Sequence, residues 1–417
     1  MYSLLVLLIE CAICIFLKEI GINPVDNALI IVYMIIFSIA YSEDLKTNDC
    51  LSKFQMPLLG GYYLRIALLL FDRYGRRVYQ LPNSGADSEY FYSGAVAEAT
   101  MASYRNSGGF IGLFRIVFSI VGTNRMFGQF IVLLFSVIAI SVVTIAIDEI
   151  DILEVNKVRA ITILAFLPNF AILSSIFLRE SIVTMFVSIS FLYFMRHYRG
   201  ESVINLLIAY VSILLGMIFH SGVAGVLIGY TVVVLLHDRM HNKNGVRVYN
   251  IALALLFGVT AVYLYIQYGD VFYSKMIGIG ELSDIGNILD RGGSSYARYV
   301  GNSNSISNMI KYTIPRIVFF LYSPFPWQWR GVADIIAFLF SGLYYLYVSV
   351  ISIRYVLNKN SMHRVDAFNL IIIVLCVTFI YAWGVSNTGT AVRHRDKIVT
   401  LFAVLHAMCR NSEMEAL

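Results

Sequence analysis

Apolar runs of roughly 16 to 21 residues recur along nearly the whole chain. Each is close to the ~20 residues that a helix needs to cross a hydrocarbon core about 30 Å thick. They predict roughly twelve spans, at 2–18, 27–42, 57–72, 127–147, 159–177, 180–195, 203–219, 221–237, 249–267, 333–351, 367–385 and 396–410. Three are short or interrupted, notably 57–72, which carries Arg65. The stretch 309–322 holds Lys311 and Arg316 within an apolar run and reads as a re-entrant or interfacial helix. The first run follows Met1 without a basic leader or a small-residue cleavage site, so it reads as a retained span.

The polar intervals orient these spans. With the N-terminus inside, the cytoplasmic loops hold Lys46 and Lys53; Lys157 and Arg159; Arg196 and Arg199; Arg239, Lys243 and Arg247; Arg354, Lys359 and Arg364. Arg410 places the C-terminus inside as well. This is the basic bias expected of cytoplasmic loops. Two long loops, 73–126 and 268–332, then face outward, as does the short stretch 386–396. The expected fold is an all-α polytopic membrane protein, one integral domain over 1–417.

Composition agrees. Of 417 residues, 59% are hydrophobic and only 14% charged, against about 25% charged in soluble domains. Cys11, Cys14, Cys50, Cys376 and Cys409 show neither metal-site nor disulfide spacing. No nucleic-acid motif appears, and topology accounts for the basic loops.

Charge on the outward side is what needs a chemical explanation. "VRHRDK" puts Arg393 and Arg395 where basic residues should be depleted. "SSIFLRESIV" joins two spans through Arg179 and Glu180, and "MIFHSGVAG" sets His220 at another tight turn. "NSGADSEYFYSGAVAEA" carries Asp87 and Tyr90 ahead of an alanine-rich stretch that predicts a short helix, with Ser84 or Asp87 as its cap. The loop 268–332 holds Arg291, Tyr296 and Arg298, then Trp327 and Trp329. Each feature also has a structural reading: headgroup contact for Arg393 and Arg395, a span boundary for Arg179–Glu180, a helix cap for Asp87, an interfacial belt for the tryptophans. Taken together, arginines on one face suit a diphosphate on a lipid carrier, because the guanidinium fork binds phosphate oxygens in pairs. Asp87, or His220 in its place, is the candidate acid–base group. No Asp-x-Asp cluster lies in an outward loop, so neither a metal nor a cofactor is invoked.

"GADSEYFYSG", then "GGFIGLFRIVFSIVG", then "FLRES", then "FHSG" resemble, in order over about 83–225, the EpsG/Wzy-like membrane proteins of bacterial polysaccharide clusters. "TGTAVRHRDK" is similar to the Arg-rich terminal element of such polymerases. Asp87 and Tyr90 fit the first element, Arg179 and Glu180 the second, His220 the third. The resemblance implies a GT-C-like helical fold in the bacterial inner membrane and an inverting, metal-independent glycosyl transfer. A chain on undecaprenyl diphosphate would pass to the next lipid-linked repeat of an O-antigen, capsule or exopolysaccharide. A chain-length regulator and a flippase are the partners it implies. Two other readings stay open: a GT-C transferase using a polyprenyl-phosphate sugar, and a flippase of lipid-linked oligosaccharides. No inverted repeat favours the last.

Overall fold

The computed structural model describes residues 2–100, 108–200, 202–241, 296–300 and 306–410. Every regular element among the described residues is helical. Among the described residues, four helices are long and apolar enough to cross a membrane: Asn27–Thr47, Arg125–Asp148, Val332–Leu357 and Arg364–Gly384. The expected span at 249–267, Arg291 and the basic pair Lys243 and Arg247 lie outside the described residues. The chain packs as two compact units, one comprising Met1–Leu192 with Leu214–His220, the other Tyr193–Ile213 with Ser221–Leu417.

In the first unit the helices are α1 (Tyr2–Glu19), α2 (Asn27–Thr47), the single turn α3 (Asp49–Ser52), α4 (Gln55–Leu70), α5 (Ala86–Thr100), α6 (Gly109–Val121), α7 (Arg125–Asp148), α8 (Glu154–Phe166) and α9 (Pro168–Leu173). To these it adds most of α10 (Glu180–Tyr198) and the last turns of α11 (Val203–Phe219). Side chains that accept from orphan N–H groups start the long helices. Asp26 accepts from Ala28 N at 2.9 Å, and Asn124 accepts from Met126 N at 2.7 Å. Lys18, in the last turn of α1, reaches the end of α6 and donates to the carbonyls of Ser119 and Ile120, each at 2.6 Å.

The expected single span at 159–177 is two helices. Pro168 has no N–H to continue α8 and forces Leu167 out of helical geometry, to ψ 114°. A buried arginine fills the break. Arg65 Nη1 donates to Ala165 O at 2.7 Å and Gly61 O at 2.9 Å, and its Nε donates to Ser174 Oγ at 2.9 Å. The guanidinium also stands over the Phe170 ring, 5.0 Å from its centroid. Gly61 makes this approach feasible, since a Cβ there would lie 2.9 Å from that of Ala165. The charge in the expected span 57–72 is thus a clamp on main-chain carbonyls.

The second unit holds α12 (Ala224–His241), the turn α13 (Ala297–Val300), α14 (Ile306–Tyr322), α15 (Val332–Leu357), α16 (Arg364–Gly384), α17 (Thr388–Asp396) and α18 (Val399–Cys409). α15 loosens into a π-helical stretch at Ala337–Gly342. Its tightest contact joins α12 to α16. Cβ atoms on Gly225 and Gly229 would stand 2.4 Å from Val377 Cα and 2.7 Å from Ile373 Cα. Small residues four apart let two apolar helices meet backbone to backbone, where dispersion rather than expulsion of water holds them.

Candidate functional site

In the first unit, α5 lies against the segment 174–181. Beneath it is a core of Leu81, Leu173, Ile176 and Leu178, on which Phe91 packs. Phe177 adds an aromatic floor, 5.8 Å from Tyr92 and 4.6 Å from Phe114 between ring centroids. Gly128 admits that ring, for a Cβ there would meet it at 2.5 Å.

Charged groups rim this apolar floor. Arg179 donates to Phe219 O at 3.3 Å, the carbonyl next to His220, and its guanidinium stands 5.5 Å from the Phe91 centroid. It therefore ties the His220 turn to α5. Asp87 lies one helical turn before Phe91, on the same side of α5. It is exposed and borders an open cleft of about 360 Å³ lined by Gln80, Leu81, Asn83, Gly85 and Ala86. Tyr90 is exposed, Glu180 buried at the start of α10, and His220 half-buried.

The capping expectation is corrected here. α5 begins at Ala86, so Asp87 sits inside its first turn rather than at the cap. Ser84 does not cap either; its hydroxyl donates to Asp72 Oδ1. Asp72 is a further buried carboxylate of this region, and it was not among the expected site residues. Its other oxygen accepts from Gln129 Nε2 at 2.7 Å, and the same amide donates to Ser175 O at 3.3 Å. Asp72 thereby links the end of α4, the lead into α5, α7 and the Arg179 segment. Its position at the apolar edge of a span hid it, since a carboxylate there reads as a boundary.

Two further arginines were also missed. Arg76 Nη1 and Arg125 Nη1 both contact Glu89 Oε1, the latter at 2.8 Å. Arg125 Nη2 donates to Ser88 Oγ at 2.9 Å, and its guanidinium stands 5.6 Å from the Tyr92 centroid. Burial pushes the Tyr92 phenol above its ordinary pKa, while Arg125 and Arg73 pull it back. The signal available in the sequence was "DRYGRR" immediately after a span.

In the second unit, the segment 386–397 folds as α17. Asn387 caps it, accepting from Gly389 N at 2.9 Å and Thr390 N at 3.3 Å. Arg395 is fully buried. Its Nη1 donates to Leu321 O at 2.8 Å and Ser323 O at 2.6 Å, and its Nε to Ser341 Oγ at 3.0 Å. These carbonyls lie at the end of α14, where a helix leaves acceptors unsatisfied and favours a cation. The expectation that Arg395 offers its whole fork to a ligand is therefore corrected: only Nη2 lacks a partner among the described residues.

Tyr296 likewise turns inward. Its hydroxyl donates to Val385 O at 3.1 Å and its N–H to Ser386 O at 2.9 Å. Burial raises its pKa, opposed by Arg316 and Arg395, which places the phenol within electrostatic reach of both cations. Arg316 is buried over Trp383, 4.3 Å from the ring centroid. Arg393, Asp396 and Lys397 are buried too. Arg298 belongs to α13. Trp329 Nε1 donates to Pro324 O at 3.1 Å, whereas Trp327 is exposed and stacks on Phe325 at 4.8 Å.

Arginine forks, a half-buried histidine and an exposed carboxylate can together bind an anion and move a proton. No family model, curated protein or solved structure matches this chain.

Proposed function

We propose that the protein is a membrane glycosyltransferase that polymerises lipid-linked oligosaccharide repeats in bacterial surface-polysaccharide synthesis. The proposal includes about twelve spans in a GT-C-like arrangement, both termini cytoplasmic, and residues 73–126, 268–332 and 386–396 on the outer face. The observation that carries it is Arg179, held between the His220 turn and the Phe91 ring, with Phe91 itself one helical turn from Asp87 on α5.

In this reading the sugar C1–O bond to the lipid diphosphate breaks as the acceptor hydroxyl forms a new bond on the opposite face. Charge builds on the departing diphosphate, and Arg179 stabilises it. The hydroxyl proton passes to Asp87, with His220 as the alternative acceptor.

Asp87→Asn tests the assignment. The exchange leaves an exposed first-turn position nearly unperturbed, so protein abundance stays normal. Polymer length, read on a gel of surface polysaccharide, collapses to single repeats, with a rate loss of about 10²–10³. Wild-type lengths in Asp87→Asn remove Asp87 from the chemistry. Wild-type lengths in a gene deletion remove the polymerase reading itself.

A further inference from the structure

Arg76, Glu89 and Arg125 form an arrangement that the proposed transfer does not use. Two guanidinium groups close on one carboxylate oxygen of Glu89. Like charges come this near only with an anion between them, and one carboxylate neutralises only half of the pair. Glu89 is the carboxylate that both guanidinium groups contact. Asp72 is turned into its own buried bonds with Ser84 and Gln129. Asp87 precedes Glu89 by two residues, which is about 200° around the helix and so on another face.

The surroundings favour more negative charge than Glu89 supplies. Ser88 and Glu89 lie in the first turns of α5, where the helix dipole is positive. Arg73 and Arg125 both act electrostatically on the half-buried Tyr92 phenol beside the pair. Arg125 Nε is buried without a hydrogen-bond partner among the described residues, so part of its fork is unused. The arginine side chains are 27% and 12% exposed, while Glu89 is 48% exposed and can swing aside into solvent. Arg76 Nη2 donates to Ser84 O and Arg125 Nη2 to Ser88 Oγ, so an anion in place of Glu89 would meet the Nη1 group of each fork with a separate oxygen, which a single carboxylate oxygen does not.

We propose that Arg76 and Arg125 form a binding site for a phosphate or diphosphate group, which Glu89 fills until such an anion displaces it. The site itself is independent of the polymerase reading; only the assignment of its anion to a lipid carrier rests on that reading.

The test is calorimetric titration of the full chain in detergent with inorganic pyrophosphate, and in parallel with farnesyl diphosphate. Wild-type protein binds pyrophosphate. Glu89→Gln, relieved of the competing charge, binds it about tenfold tighter, and Arg76→Ala about tenfold weaker. Glu89→Asp, whose shorter side chain cannot span both forks, shifts in the same direction as Glu89→Gln and replaces it if that variant does not fold. Absence of pyrophosphate binding to the wild type, or unchanged or weaker affinity in the folded Glu89 variant, overturns the proposal. Tighter binding of farnesyl diphosphate than of pyrophosphate supports a lipid-borne phosphate; equal affinities support a site for the free anion. Because no polymer is made in this assay, its failure is distinct from unaltered polysaccharide lengths in the deletion.

Discussion

The two units each contain an arginine that a motif placed on the outer face, and the two side chains do opposite things. Arg179 is half-buried, makes one long hydrogen bond to a carbonyl and lies over a ring at the rim of α5. Arg395 is wholly buried and anchors the end of α14 through two short carbonyl bonds and Ser341. Both look alike in the sequence: a cation beside an apolar run. What separates them is where the donors go, since a fork already filled by main-chain carbonyls has little left for a ligand.

The comparison is broken most sharply at Arg395. Arg395→Ala leaves Leu321 O, Ser323 O and Ser341 without their donor in a buried setting, a loss on the order of 3–5 kcal/mol. Detergent-extracted protein should fall in amount and melt earlier, and Arg395→Lys should restore little, because a point charge cannot span three acceptors. Arg179→Ala should instead leave the melting temperature nearly unchanged. If Arg395→Ala is as stable as wild type, the contrast between the two units is wrong.

A smaller effect is expected at Asp72. Asp72→Ala strands the Ser84 hydroxyl and the Gln129 amide, costing about 1–3 kcal/mol, whereas Asp87→Asn, on the exposed side of the same region, costs about 0.3–1 kcal/mol through the helix dipole. Thermal melts of the pair read the difference; equal losses would mean that Asp72 is not the link we describe. The smallest effect concerns Asn387. Asn387→Ala removes the cap of α17 and costs about 1 kcal/mol, while Asn387→Asp stays within a few tenths. A matching melt for both variants would show that α17 is held by its buried cations alone.

The apolar runs made the helices legible, because length and hydropathy are properties of a segment. Breaks were legible only where a residue type enforces them, and Pro168 went unread inside the run 159–177. The Gly225–Gly229 contact was equally present in "GVLIG", yet a small residue shows its use only when another backbone lies against it. At the candidate site, Arg179 and His220 were each legible as polar residues at tight turns, and the bond of Arg179 to Phe219 O joins the two turns. Asp72, Arg76 and Arg125 could not be ranked from sequence, because their roles depend on partners 8 to 57 residues away. Arg393 and Arg395 illustrate the converse, since the residue type announces a phosphate ligand and the geometry of Arg395 delivers a helix clamp.

Lys18 carries a consequence for how the chain is made. Its two acceptors, Ser119 and Ile120, are 101 and 102 residues further along. At roughly 5–20 residues per second, a ribosome delivers them about 5–20 s after the lysine has emerged. During that interval the ammonium at the end of α1 must stay hydrated, while the chain through α5 is being completed behind it. The bond that fastens α1 to α6 thus closes late in the biogenesis of the first unit, so a nascent chain stalled before residue 119 should carry an α1 whose end is not yet fastened.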